Sequence, residues 1–215
     1  MSEGEDKEGD SLNLLELIEE KADNFRYYLR LSGVSAIARR YFIMNAFDGA
    51  VTTLGVLIGA LIGGGLSPRI ILAAGIGAGI AMGVSGFFGA YLAEEAERSR
   101  SLRELERAMH INLNNSIIEK AARVAALTAA LIDAVSPLMA ALISLTPFMI
   151  AIIGLISAWQ ALISSIALIL VLLAVLGLFL GKISGERMII YSIATTCAGL
   201  ITGFLGLFLH VIFSW

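Results

Sequence analysis

Five apolar stretches, each close to twenty residues long, restrict the folds open to this chain more than any other feature of its sequence. They lie at about 41–62, 70–93, 124–144, 161–180 and 188–213, and the third can extend past Pro147. A helix rises about 1.5 Å per residue, so roughly twenty apolar residues cross the hydrocarbon core of a bilayer. We therefore predict an all-α polytopic membrane protein with five transmembrane helices.

The composition excludes an ordinary soluble domain. Charged residues make up 15% of the chain and hydrophobic residues 58%, whereas soluble domains carry about 25% charged residues. Outside the spans, only about 40 residues before the first and about 30 between the second and third remain, too few for a separate soluble catalytic domain. The expected regions are an acidic tail with an amphipathic helix at 11–30 (1–40), spans one and two (41–93), a cytosolic Glu-rich helical segment (94–123) and spans three to five (124–215).

The basic residues alternate between the two sides of the membrane. Six precede the first span, one lies between spans one and two, six between two and three, none between three and four, and two between four and five. Lysine and arginine are enriched in cytoplasmic loops. The N-terminus is therefore predicted to be cytosolic and the C-terminus to lie outside, which fits an odd number of spans.

Two of the eighteen acidic residues, Asp48 and Asp133, fall inside predicted spans. A carboxylate in hydrocarbon is costly unless it meets water, a proton or a cation, so such residues usually mark an ion or proton pathway. Counting along straight helices from Arg40 and Arg123 puts them roughly 12 and 15 Å from the cytosolic boundary. A protonated side chain that hydrogen-bonds to a neighbouring helix is the alternative, and it stays open for both residues.

Met82 on span two lies at a similar depth, roughly 18 Å by the same count from Glu94. With Asp48 it forms a candidate metal site, although a methionine in core packing is the simpler alternative. A carboxylate with a thioether suits a borderline cation such as Fe²⁺ better than Mg²⁺ or Ca²⁺. Asn45 and Thr52, one turn before and one turn after Asp48, are candidate pathway-lining residues.

Glycines and prolines mark the contacts expected between the spans. Glycines recur every four residues in the first two spans, at Gly55, Gly59 and Gly63 and at Gly75, Gly79 and Gly83. Such stripes let another backbone approach closely, and they fit either packing of spans one and two together or a dimer interface. In span three, Pro137 and Pro147 predict a bend and carbonyl groups without their helical donors.

The segment between spans two and three is rich in glutamate and arginine. Charge pairs at three- and four-residue spacing, on a helix that continues from span two, are one explanation. Capture of divalent cations is the other, because Glu94 and Glu97 share a helical face next to the predicted membrane site. Glu94, Glu97 and Glu104 are retained as candidate metal-binding residues.

The first predicted span contains Asp48-Gly49 and Val51-Thr52-Thr53-Leu54-Gly55, the second contains Ala81-Met82-Gly83, and the glutamate-rich helix and the proline-containing third span follow. In these features, from about residue 40 to the C-terminus, the chain resembles the vacuolar iron transporters and their prokaryotic relatives. The resemblance implies a homodimer whose first spans line a central pathway, with Asp48 and Met82 as membrane metal ligands and the cytosolic glutamates as a collecting site. It also implies export of Fe²⁺, and in some members Mn²⁺, from the cytosol in exchange for protons.

Two departures make the chain resemble a divergent branch. Many family members carry Gly-Glu-Tyr shortly after the methionine of span two, whereas this chain has Ser85-Gly86-Phe87 and so lacks that carboxylate. The cytosolic segment is also short and does not reproduce the family's paired glutamate spacing.

The leading hypothesis is a homodimeric transporter that exports Fe²⁺, or Mn²⁺, by proton exchange, with Asp133 as a proton relay. The expected partners are the lipid bilayer, divalent metal ions and protons; we expect no nucleic acid, no tightly bound cofactor and no enzymatic activity. The expected location is the cell membrane of a prokaryote. The alternatives are a non-transporting membrane scaffold or metal sensor, and an intramembrane aspartyl protease, although the Gly-x-Gly-Asp motif expected for such a protease is absent around Asp133.

Overall fold

The computed structural model describes residues 23–114 and 116–213, and within them the secondary structure is helical. The helices are α1 (23–32), α2 (Val34–Ile62), α3 (Pro68–Met109), α4 (Ile117–Ile152), α5 (Ala158–Ser184) and α6 (Met188–Phe213). Helices α2 to α6 are each long and apolar enough to cross a membrane. The predicted fold class is therefore confirmed, and the protein is a multi-pass membrane protein. The acidic tail and the first part of the predicted amphipathic helix, up to residue 22, lie outside the described residues.

The described residues form two compact units. The charged unit comprises residues 23–38 and 90–129, and the membrane unit comprises residues 39–89 and 130–213. The core of the membrane unit is apolar, and its largest fully buried side chains are Leu57, Ile71, Leu145, Phe148 and Leu173. These residues come from helices α2 to α5, which therefore share one core.

Helix α4 runs through both of its prolines without interruption. Hydroxyl groups one position before each proline bond back to the preceding turn: Ser136 Oγ donates to the carbonyl of Ile132, and Thr146 Oγ1 donates to that of Leu142 at 3.1 Å. Proline has no N–H, so Pro137 cannot donate the helical hydrogen bond to the carbonyl of Asp133. The carbonyl of Asp133 is therefore one of the carbonyl groups that the sequence predicted to lack a helical donor.

The glycines of α3 allow it to lie directly against α4. A Cβ atom at Gly83 would be 2.6 Å from the carbonyl oxygen of Ala134, and one at Gly79 would be 3.3 Å from the Cβ of Ala141. Within one protomer the span-two stripe therefore packs on span three, not on span one. Gly55 of α2, in contrast, has no atom within 4 Å of its Cβ position.

Helices α5 and α6 form a hairpin joined by side-chain to backbone hydrogen bonds. Thr195 Oγ1 donates to the carbonyl of Leu173 at 2.8 Å, and Ser192 Oγ donates to that of Ala174 at 3.0 Å. A Cβ at Gly181 would be 2.5 Å from the Cα of Met188, so this glycine is needed for the close approach.

We predict that Gly83→Ala lowers the melting temperature of the purified protein, whereas Gly77→Ala does not. The new methyl group at position 83 meets a backbone oxygen that moves only if α3 and α4 separate, and overpacking of this kind costs about 1–3 kcal/mol. Gly77 lies on the same helix with nothing within 4 Å of its Cβ position, and alanine is the better helix former. Thermal unfolding in detergent tests this, and equal melting temperatures for both variants would contradict the close α3–α4 contact.

Candidate cation site in the membrane unit

Asp133 of α4 is buried in the membrane unit, with 5% of its surface exposed. The Nδ2 atom of Asn45 on α2 donates a hydrogen bond to its Oδ1 atom and a second one to the carbonyl of Tyr41 at 2.9 Å. Since both partners are acceptors, the amide nitrogen must face them, which fixes the orientation of the Asn45 side chain. The structure thus joins Asn45, predicted to line a pathway beside Asp48, to the other intramembrane aspartate.

Gly86 of α3 lies beside the other oxygen of the Asp133 carboxylate. A Cβ at position 86 would be 2.7 Å from Asp133 Oδ2 and 3.3 Å from its main-chain oxygen. The carboxylate of α4 therefore occupies the space that a side chain at position 86 would need. This is the stretch of span two in which the sequence lacks the carboxylate that the family resemblance implies.

Asp48 of α2 is exposed on the surface of the protomer. The adjacent Gly49 lies against α4, since a Cβ there would be 2.6 Å from the Cα of Pro137. Pro137 is one helical turn beyond Asp133, so the two aspartates lie at similar levels, as their depths in the sequence predicted.

Met82 and Thr52 are both half-buried. Met82 precedes Gly83, which contacts the residue after Asp133, so the thioether lies near the level of Asp133. The membrane unit thus brings two carboxylates, an amide and a thioether to one level of three helices. No three His, Cys, Asp or Glu side chains group as a metal site in residues 23–114 and 116–213, so a complete site in one protomer needs the amide, the thioether or main-chain oxygens as well.

The candidate glutamates of the charged unit lie in different surroundings. Glu94 Oε2 accepts a hydrogen bond from Arg98 Nε at 3.2 Å, and both side chains are largely buried. Glu104 Oε1 accepts one from Arg100 Nε at 3.0 Å on the surface. Glu97 is exposed. Two of the three candidates therefore form ion pairs at the four-residue spacing that the sequence predicted, one of them solvated and the other, Glu94 with Arg98, largely buried.

A polar cleft of about 210 Å³ in the charged unit was not anticipated from the sequence. The charged side chains that line it are Glu95, Glu106, Glu119, Arg98, Arg103 and Arg123. The α3 members, at positions 95, 98, 103 and 106, are three, five and three residues apart, so helical periodicity would have grouped them on one face. Proximity to the predicted membrane site favours Glu94 and Glu97 instead, and neither of them lines this cleft.

The chain is similar to known proteins over most of its length. The sequence profile of the VIT family matches residues 39–120, which include Asp48, Met82 and the three candidate glutamates. The uncharacterized protein MJ0645 of the archaeon Methanocaldococcus jannaschii is 33% identical over 164 residues, covering 75% of this chain and 82% of the relative.

We predict that Asn45→Ala destabilises the protein and that the loss depends on Asp133. Removing the amide leaves a buried carboxylate without its donor, at a cost of about 1–3 kcal/mol. In an Asp133→Ala background the same substitution removes no such bond and should cost clearly less, with a coupling of about 0.5–3 kcal/mol. Unfolding of the four proteins in detergent measures this, and additive losses would contradict the Asn45–Asp133 bond.

Proposed function

Because the chain belongs to the VIT family, we propose that it exports Fe²⁺, and also Mn²⁺, from the cytosol in exchange for protons. Family members are transporters and not enzymes, which sets aside the intramembrane protease alternative. The observation that carries the proposal is the polar centre of Asp48, Asn45, Met82 and Asp133 at one level of the membrane unit.

The donor set favours a borderline divalent cation. Carboxylate and amide oxygens accept Mn²⁺ and Fe²⁺, and the Met82 thioether favours Fe²⁺ over the harder Mg²⁺ and Ca²⁺. In this proposal Asp48 binds the cation or a proton in turn. That competition couples the two fluxes, because a ligand must lose its proton before it binds a metal. Asp133 relays protons, and Asn45 and Thr52 line the pathway.

The exposed face of α2 supports a homodimer. Met44, Asp48, Gly55 and Gly59 are exposed at four- and seven-residue spacing along one side of the helix. An aspartate facing lipid alone would cost about 3 kcal/mol on insertion scales, and glycines permit close approach of a second backbone. A second copy on this face would shield Asp48 and bring a second set of ligands to the site.

The charge pattern supports the orientation, and the relative supports the location. The alternation of basic residues favours a cytosolic N-terminus, and an archaeal relative fits the cell membrane of a prokaryote. In this orientation Glu94, Glu97 and Glu104 lie on the cytosolic side, where carboxylates raise the local concentration of divalent cations before transport.

In proteoliposomes, we predict Fe²⁺ and Mn²⁺ flux that is driven by a pH gradient and abolished by Asp48→Ala. The substitution removes the group at which cation and proton compete. The matched control is Glu186→Ala, which neutralises an exposed acidic residue between α5 and α6, outside the spans, and should leave the flux unchanged.

Two outcomes would contradict the proposal in different ways. Absence of flux in folded wild-type protein would reject transport and favour the membrane scaffold or metal sensor. Flux that survives Asp48→Ala would retain transport but reject this aspartate as its site.

We predict that Glu97→Gln combined with Glu104→Gln raises the half-saturating metal concentration and leaves the maximal rate unchanged. Both carboxylates are exposed, so their effect is a local attraction that salt screens over about 10 Å at 0.1 M. Flux measured at low and high ionic strength tests this. A difference that persists undiminished at high salt would indicate direct coordination instead of attraction.

A further inference from the structure

We propose that Asp133 is a direct ligand of the transported cation, held in place by Asn45 and admitted to the site by the absence of a side chain at Gly86. This inference rests on the proposed transport function and adds a ligand to its site: Asp133, proposed above as a proton relay, would bind the cation when it is deprotonated. The ligand class is a divalent cation that accepts carboxylate and main-chain oxygens.

Two oxygens of Asp133 lie close to the same point on α3. Oδ2 lies 2.7 Å and the main-chain oxygen 3.3 Å from the position that a Gly86 Cβ would occupy. The main-chain oxygen lacks its usual helical donor because residue 137 is proline. A carboxylate oxygen and a carbonyl oxygen side by side are the donors that divalent cations bind.

Asn45 acts as a positioning residue. Its amide nitrogen binds Asp133 Oδ1 and also the carbonyl of Tyr41 on its own helix, which ties the carboxylate to α2. With Oδ1 held on this side, Oδ2 is the oxygen directed at Gly86. A neutral amide leaves the charge of a buried carboxylate unbalanced, and a bound cation would balance it.

The α3–α4 packing brings position 86 next to the Asp133 carboxylate, so a carboxylate carried by either helix would lie in the same location. An aspartate side chain places its oxygens two bonds beyond Cβ, and the Cβ position at residue 86 is already beside Asp133 Oδ2. A carboxylate moved from position 133 to position 86 should therefore reach the same space, provided that the original side chain has been removed.

The test measures Mn²⁺ binding to the protein in lipid nanodiscs by electron paramagnetic resonance. Binding that remains in Asp48→Ala is subtracted, so only binding that depends on Asp48 is compared. Asp133→Ala and Asp133→Asn should each weaken this binding by at least about 10- to 100-fold, because the loss of even a supporting group around a metal site has an effect of that size. Asp133→Asn keeps the size of the side chain and an acceptor for Asn45, so it isolates the charge. Adding Gly86→Asp to Asp133→Ala should restore binding to within a few-fold of wild type.

The matched control is Gly89→Asp with Asp133→Ala. Gly89 lies nearly one turn further along α3 with nothing within 4 Å of its Cβ position, so this carboxylate should restore nothing. Equal Mn²⁺ affinity in wild type and Asp133→Asn would overturn the inference while leaving the proposed function intact. If Gly86→Asp and Gly89→Asp both restore Mn²⁺ binding, or if neither does so in protein that elutes as folded, then positions 86 and 133 do not share one carboxylate location. Absence of Asp48-dependent binding in wild type would reject the site itself.

Discussion

The contact of α4 with glycines on two neighbouring helices is the constraint on which the candidate site depends. Gly49 brings α2 against Pro137, and Gly83 brings α3 against Ala134. Lipid tails give apolar helices no hydrophobic reason to associate, so close van der Waals packing must hold them together. The same packing surrounds Asp133 with protein on both sides, and it allows a carboxylate to be buried at this depth.

The two intramembrane aspartates differ in what surrounds them. Asp133 is enclosed by three helices and bound by Asn45, whereas Asp48 is open on the surface of the protomer. An enclosed group has its geometry fixed by its neighbours, and an open group can meet water, a proton, a cation or a second protein chain. A fixed carboxylate beside an accessible one suits a site that must hold an ion and also release it.

The sequence predicted the fold well because the lipid bilayer imposes a length and a polarity on each span. It also predicted that α3 would continue into the charged segment, and that Asp48, Met82 and Asp133 would lie at similar depth. It did not predict the Asn45–Asp133 bond or the fit of Asp133 at Gly86, since depth is set by position along one helix but contact depends on how two helices rotate and cross. Cation binding by these residues remains a prediction.

The fit of Asp133 at Gly86 also restricts how this site can change during evolution. A side chain added at residue 86 would meet the end of the Asp133 side chain and its main-chain oxygen, so a larger residue 86 requires the Asp133 carboxylate to move or to be shortened. The two positions are 47 residues apart in the chain, yet a change at one alters what the other can accommodate. The order of two such substitutions therefore matters, because shortening residue 133 first opens the space into which a larger residue 86 then fits.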